Sequence, residues 1–236
     1  MKTVKYGETS LIVTVFTELF GIQSYLVSGV RVSSRKGMGK AGLFQPAAIL
    51  DLVVYHNEMK QLNRLKEYRW EHLYQEIYSH VVKNSVALFL VELLTRCLKQ
   101  PEPNPDLYHF TEDALLFLDE CGETATANFP LFFALHLCYF FGFRIQDGYS
   151  DKNPILDLQE GQFVPEHPEH IHFLEGKQAE VTSELLKVIH PEDLSTIRLH
   201  HEFRRGLLQS YEMYYLLHIQ DFGRLRTLPV LKEILG

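Results

Sequence analysis

The chain has 236 residues, 46% hydrophobic and 22% charged, enough to bury one large core or two small ones. No run approaches the roughly 18 apolar residues of a membrane helix. Lys2 and Lys5, followed by alternating polar and apolar positions, do not make a signal peptide, so the composition points to a cytoplasmic protein with no membrane partner. Cys97, Cys121 and Cys138 lie far apart without Cys-x-x-Cys spacing and read as free thiols of a reducing compartment. The net charge of −7 argues against a nucleic-acid partner until it is divided along the chain. Residues 1–76 carry 10 Lys+Arg against 7 Asp+Glu, a balance of +3, whereas residues 77–236 carry 13 against 23, a balance of −10. That asymmetry suggests a basic binding module on an acidic body.

From Thr9 to Thr17 the apolar Leu11, Val13 and Val15 alternate with other residues, most of them β-branched, which predicts a strand. Thr17 to Gly21 turns the chain and Ile22 to Val30 is its hairpin partner. Gly29, Gly37, Gly39 and Gly42 bracket a polar segment that reads as a flexible loop. The apolar run Ala47 to Tyr55 and the segment Leu62 to Arg69 are two further strands. Four strands without an interposed helix point to a small Greek-key barrel.

Beyond Trp70 the periodicity becomes helical. Tyr74 to Lys99 reads as one helix ended by Pro101, Pro103 and Pro105, and Asp106 to Glu120 as a second, capped by Asp106 or Thr111. Phe129 to Phe141 is apolar nearly all round and belongs in the middle of a bundle. Residues 143–173 are irregular, with Ile155 to Leu158 and Gln162 to Val164 joined by Glu160-Gly161 as a β-hairpin. Lys177 to Ile189 and Ser195 to His218 are the last helices, before a short tail with Arg224 and Arg226. The fold class is α+β: a β-barrel domain over 1–76, then an all-helical domain over 77–236 with a small β-hairpin excursion.

Phosphate-loop, dinucleotide, nucleophile-elbow and zincin motifs are absent from the sequence, which points away from an enzyme. Gly37 to Gly42 looks like a phosphate loop, but a strand rather than a helix is expected after it. His167, His170 and His172 have two readings, a metal pair or a polar loop held by Pro165 and Pro168, and the loop is preferred. The adjacent His200 and His201 are expected on a helix, with side chains diverging by about 100°. Small barrels bind single strands by tracking phosphates with cations and stacking bases on aromatic faces. The barrel cations are Lys5, Arg31, Arg35, Lys36, Lys40, Lys60, Arg64, Lys66 and Arg69, and Tyr6, Tyr25, Tyr55 and Tyr68 are either stacking platforms or core positions.

Several segments in order resemble the bacterial recombination-repair family RecO. These are Lys5-Tyr6-Gly7-Glu8-Thr9-Ser10, Thr17-Glu18-Leu19-Phe20-Gly21, Gly29-Val30-Arg31, Leu43-Phe44-Gln45-Pro46, Pro101-Glu102-Pro103-Asn104, Gly142-Phe143 and Leu225-Arg226-Thr227-Leu228. The resemblance implies an N-terminal OB-fold-like DNA-binding domain and a helical C-terminal domain. It implies binding of single- and double-stranded DNA, strand annealing, binding of the C-terminal tail of SSB, and work with RecR to load RecA at the nucleoid, without covalent chemistry or a cofactor. On that reading Lys5, Tyr6, Arg31, Arg35, Lys36, Lys40, Arg64 and Lys66 hold DNA. An acidic tail ending in phenylalanine needs an apolar pocket rimmed by cations, for which Phe143 with Arg144, or Arg204 with Arg205, are the candidates. Many relatives carry four zinc-binding cysteines after the Gly-Phe position, but none follows Gly142-Phe143 here, so no metal is expected and a hairpin takes that place. Relatives also have a strand upstream of the Lys-Tyr-Gly-Glu segment. With four residues before Lys5, the barrel is expected to lack its first strand. The competing reading is a protein-interaction adaptor without functional DNA contact.

Overall fold

Five strands build the N-terminal sheet of the computed structural model, which describes residues 1–31, 40–55, 57, 59–60, 62–100 and 102–235. They are β1 (Lys2–Tyr6), β2 (Ser10–Thr17), β3 (Gly21–Val27), β4 (Leu50–Tyr55) and β5 (Asn63–Trp70). β1, β2 and β3 form an antiparallel meander, β3 pairs parallel with β5, and β4 pairs antiparallel with β5, in the order β1-β2-β3-β5-β4. This is the strand number and the partly open arrangement of an OB-type sheet. The sequence reading counted four strands. β1, which runs into the Lys5-Tyr6-Gly7-Glu8 segment, corrects that count, and it escaped notice because all five of its residues are exposed, so no apolar alternation marks it.

Along β2 and β3 every second side chain points inward, and Leu11, Val13, Tyr25 and Val27 form the sheet core with Val30 and Phe44. Val15, Leu50, Val54, Leu65 and Tyr68 pack around it, half-buried. The β2–β3 turn is closed by Thr17, whose Oγ1 accepts from the Phe20 N–H at 3.1 Å and donates to the Gly21 carbonyl at 2.9 Å. Gly21 has φ +62, which a side chain would strain. Lys40–Phe44 is a 3-10 turn, which covers the end of the expected loop and the first residues after Gly42, where a strand was expected.

Contacts divide the chain into two units, Met1–Gln75 with Leu98–Leu116, and Glu76–Cys97 with Phe117–Gly236. The stretch 98–116, read from sequence as part of the helical domain, groups with the sheet. It holds the start of α2 (Pro105–Glu120), where Tyr108 packs on Phe16 with ring centroids 5.8 Å apart. The cap of α2 is neither Asp106 nor Thr111. Asn104 Oδ1 accepts the Leu107 N–H at 3.0 Å with Pro105 as first helical residue, while the Thr111 hydroxyl bonds back to the Leu107 carbonyl.

In the second unit α1 spans Val81–Cys97 and starts seven residues later than its periodicity suggested. Asp119 Oδ1 accepts the N–H groups of Glu76 and Ile77 at 2.9 Å, which fixes a turn there instead of a helix. The buried Lys83 ammonium sits on the Asp119 carbonyl at 2.6 Å and the Glu76 carboxylate at 2.5 Å. Helix α3 (Glu123–Leu137) is central and packs against α1, against α4 (Gly176–Leu186) and against α5 (His201–His218). With the 3-10 turn after it, the stretch Glu123–Phe141 is by length and average composition apolar enough to cross a membrane, but 67% of that window is buried within the fold. It is built as a core helix, apolar on all sides because it has neighbours on all sides.

The expected hairpin is present as β6 (Ile155–Asp157) and β7 (Gln162–Val164), and β8 (Phe173–Leu174) adds to β6. Helix α5 starts at His201, not Ser195, because Pro191–Ser195 forms a separate 3-10 turn. His200 is extended, so its ring lies 4.2 Å from that of His201 rather than pointing away. The predicted tail contains a further helix, α6 (Thr227–Ile234).

Candidate nucleic-acid interface

The cross-strand register lines up one row of outward side chains across the whole sheet: Val4 opposite Ile12, Ile12 opposite Leu26, Leu26 opposite Arg64, and Arg64 opposite Tyr55. Directly opposed side chains on one face of a sheet are neighbours. The row therefore ends in an exposed guanidinium beside an exposed phenol, Tyr55 being 63% accessible. Leu26, Tyr55 and Arg64 line a cavity of about 700 Å³ with Asn57, Lys60 and Leu62 of the β4–β5 connection.

Asn63 holds that connection in place. It is buried, its Oδ1 accepts the Asn57 N–H at 3.1 Å, and its Nδ2 donates to the Asn57 carbonyl at 3.3 Å. Asn57 Oδ1 in turn accepts the Met59 N–H at 2.9 Å. The side-chain amide thus replaces the ladder partners that the chain loses as it leaves β4. Nothing in the residue types singles out this amide pair, since its role depends on β5 lying beside β3.

The other sequence candidates fall into distinct positions. Tyr6 is exposed at 52% on the outward side of β1, and Lys5 is exposed beside it. Arg31 ties the start of the basic loop to the β1–β2 turn, its N–H bonding the Thr9 carbonyl and its guanidinium the Gly7 carbonyl, both at 3.0 Å. Arg35 and Lys36 lie outside the described residues, and Lys40 is exposed where the chain re-enters. Lys66 pairs with Glu67 at 3.4 Å, and Arg69 is held by Asp51 at 2.7 Å. Lys5, Lys40, Lys60 and Arg64 carry no ion pair among the described residues. Of the four tyrosines only Tyr6 and Tyr55 are available for stacking. Tyr25 is fully buried, and Tyr68 packs on Phe44 with centroids 4.8 Å apart.

On the helical unit, Phe143 is half-buried in an aromatic cluster, stacked on His218 at 5.4 Å and in contact with Tyr214 and Tyr215. Arg144 is exposed over the Tyr139 ring. Arg205 donates to the Lys232 carbonyl, and Arg204 to the carbonyls of Leu199 and Leu235. Both cations thus serve the C-terminal end of α6, although Arg204 also lines a cavity of about 470 Å³ with Arg198, His200 and Glu123. Two of the three loop histidines have separate carboxylate partners, His167 on Glu175 at 2.8 Å and His170 on Asp157 at 3.3 Å, while the His172 N–H donates to His170 Nδ1 at 3.2 Å. No cluster of three metal donors occurs among the described residues.

Residues 1–74 match the family model for the N-terminal region of recombination protein O, and residues 79–146 match the model for its C-terminal region. The DNA repair protein RecO of Christiangramia forsetii is 33% identical over 236 residues, covering 100% of this chain and 96% of the relative. Those of Phocaeicola vulgatus and Flavobacterium psychrophilum are each 31% identical over 234 residues, 99% of this chain and 95% of theirs. Sharing this identity over nearly the full length of both chains, the protein belongs to the RecO family.

Proposed function

We propose that the protein is a non-enzymatic DNA-binding mediator of recombinational repair that anneals complementary strands. The observation that carries the DNA contact is the outward pair Tyr55 and Arg64, adjacent across β4 and β5, with Lys60, which has no ion pair among the described residues, on the connection between those strands. A base stacked on Tyr55 places its phosphates within reach of Arg64 and Lys60, and Leu26 offers apolar surface beneath. Lys5, Tyr6, Arg31 and Lys40, with Arg35 and Lys36, extend the contact along the strand. Annealing needs only that phosphate repulsion be neutralised while base edges stay accessible, so no covalent step is required.

Family membership supports the rest of the reading: contact with the SSB tail, cooperation with RecR and loading of RecA in the cytoplasm. For an acidic tail, Arg198 and Arg204 around the cavity of about 470 Å³ suit the requirement better than Arg144 with Phe143, whose ring is already stacked.

Fluorescence titration of a labelled single-stranded oligonucleotide at several salt concentrations tests the DNA contact. Arg64→Ala and Lys60→Ala each lower affinity and reduce the salt slope by about one. Tyr55→Ala costs about 1–3 kcal/mol while leaving the slope unchanged. Wild-type affinity and slope in the Tyr55→Ala, Lys60→Ala, Arg64→Ala triple variant would refute it.

A further inference from the structure

A second cavity of the sheet-bearing unit, about 390 Å³, has the opposite character. Its lining includes four carboxylates, Glu18, Asp51, Glu71 and Glu112, and neither Lys nor Arg among the described residues. Asp51 is taken by Arg69. Glu18 and Glu112 flank the His109 ring at 3.4 and 3.7 Å, Glu112 also accepts the Tyr108 hydroxyl at 3.5 Å, and Glu71 has no ion pair among the described residues. Phe16 and Tyr108 form an aromatic wall, with their rings tilted at 53°. Burial and the nearby Glu112, Glu18 and Glu71 push the Tyr108 hydroxyl up to about 12.

An independent feature comes from the same lining. Tyr25 has no exposed surface, and its hydroxyl has no hydrogen-bond partner among the described residues. A buried polar group left unpaired is destabilising, and folded proteins rarely keep one without a use. The cavity is further bordered by Leu50, Leu52 and Val54 of β4, which among the described residues pairs only with β5 and so leaves its other edge open there. An open edge is a template for an added strand.

We propose that this cavity receives an arginine side chain from an extended segment of a protein partner that pairs along β4. The guanidinium donates to Glu18 and Glu112, lies against the Tyr108 and Phe16 rings, and supplies the donor that the Tyr25 hydroxyl lacks. Arginine rather than lysine is selected because a planar fork bonds several acceptors at once and stacks on aromatic rings. DNA is repelled by the same carboxylates, and no three donors close on a metal among the described residues.

The test is calorimetric titration of the full chain with the blocked peptide Ac-Thr-Val-Arg-Val-Thr-amide and matched peptides carrying citrulline or lysine in place of arginine. The arginine peptide binds saturably, and both replacements lose about tenfold or more, as expected for charge-assisted bonds. Glu112→Gln weakens the arginine peptide about tenfold. Tyr25→Phe weakens it severalfold while raising the thermal midpoint of the free protein, because it removes the unpaired hydroxyl. Neither substitution alters oligonucleotide affinity, so the outcome is separable from that of the DNA contact. Equal binding of the citrulline or lysine peptide, unchanged affinity in Tyr25→Phe, or no saturable binding would overturn the proposal.

Discussion

Removing the Glu92 carboxylate should release the C-terminal helix. Glu92 lies on α1, and its two oxygens accept from the Arg226 N–H at 3.0 Å, the Thr227 N–H at 2.8 Å and the Thr227 hydroxyl at 2.7 Å. These are first-turn donors of α6, which has no cap from its own neighbouring residues. At the other end Arg205 and Arg204 bond the carbonyls of Lys232 and Leu235. An eight-residue helix with Pro229 in its first turn is too short to persist alone, so opposite charges supplied by α1 and α5 hold it at the two poles of its dipole. Hydrogen bonds to a charged group contribute about 1.5–3 kcal/mol each, with losses that do not add fully when they share one acceptor. Glu92→Ala should therefore cost about 2–4 kcal/mol, and Glu92→Gln, which keeps one acceptor oxygen, about half of that.

The pH dependence follows from the same contacts. Burial pushes the Glu92 carboxyl up, but the bonds from Arg226, Thr227 and Arg96 outweigh it and hold the group below its usual value. Its stabilisation is thus present at neutral pH, above the unfolded carboxylate value of about 4.3, and is lost as pH falls through the lower folded value. Urea unfolding followed by far-UV circular dichroism measures the difference between wild type and Glu92→Gln, and amide exchange reads α6 directly. The reasoning fails if the difference does not shrink in acid, or if residues 228–235 exchange no faster in the variant.

Other perturbations address single contacts. Gly161 has φ +66, and an added Cβ would sit 2.5 Å from the Tyr214 hydroxyl, which donates to the Phe143 carbonyl. Gly161→Ala should lower stability by about 2–4 kcal/mol, with part recovered in the double variant with Tyr214→Phe when both are measured by urea unfolding. Asn63→Ala removes both bonds to Asn57 and should cost about 1–3 kcal/mol of stability. It should also weaken oligonucleotide binding severalfold, although the residue is buried. Burial pushes the Cys138 thiol up to about 12, so a thiol reagent followed by mass spectrometry should label the half-buried Cys121 about tenfold faster or more, with Cys138 reacting on unfolding.

The charge asymmetry and the change from period-two to helical patterning near Trp70 are local properties of the chain, and from them the sequence established an α+β protein with a basic N-terminal module. β2, β3 and the β6–β7 hairpin were legible because one apolar face or one tight turn encodes each of them. The fully exposed β1 has no such face, and α6 is too short to show a period, so both depended on partners distant in sequence. The same distinction separates the candidate residues. Composition could list Lys5, Arg31, Lys40, Arg64, Tyr6, Tyr25 and Tyr55 as cations and aromatics. Only the parallel pairing of β3 with β5, and the register it imposes on β4, decided that Arg64 and Tyr55 share an outward row while Tyr25 is buried. Side-chain direction is set by register, and register between strands some forty residues apart is fixed by the packed core rather than by any local run of residues.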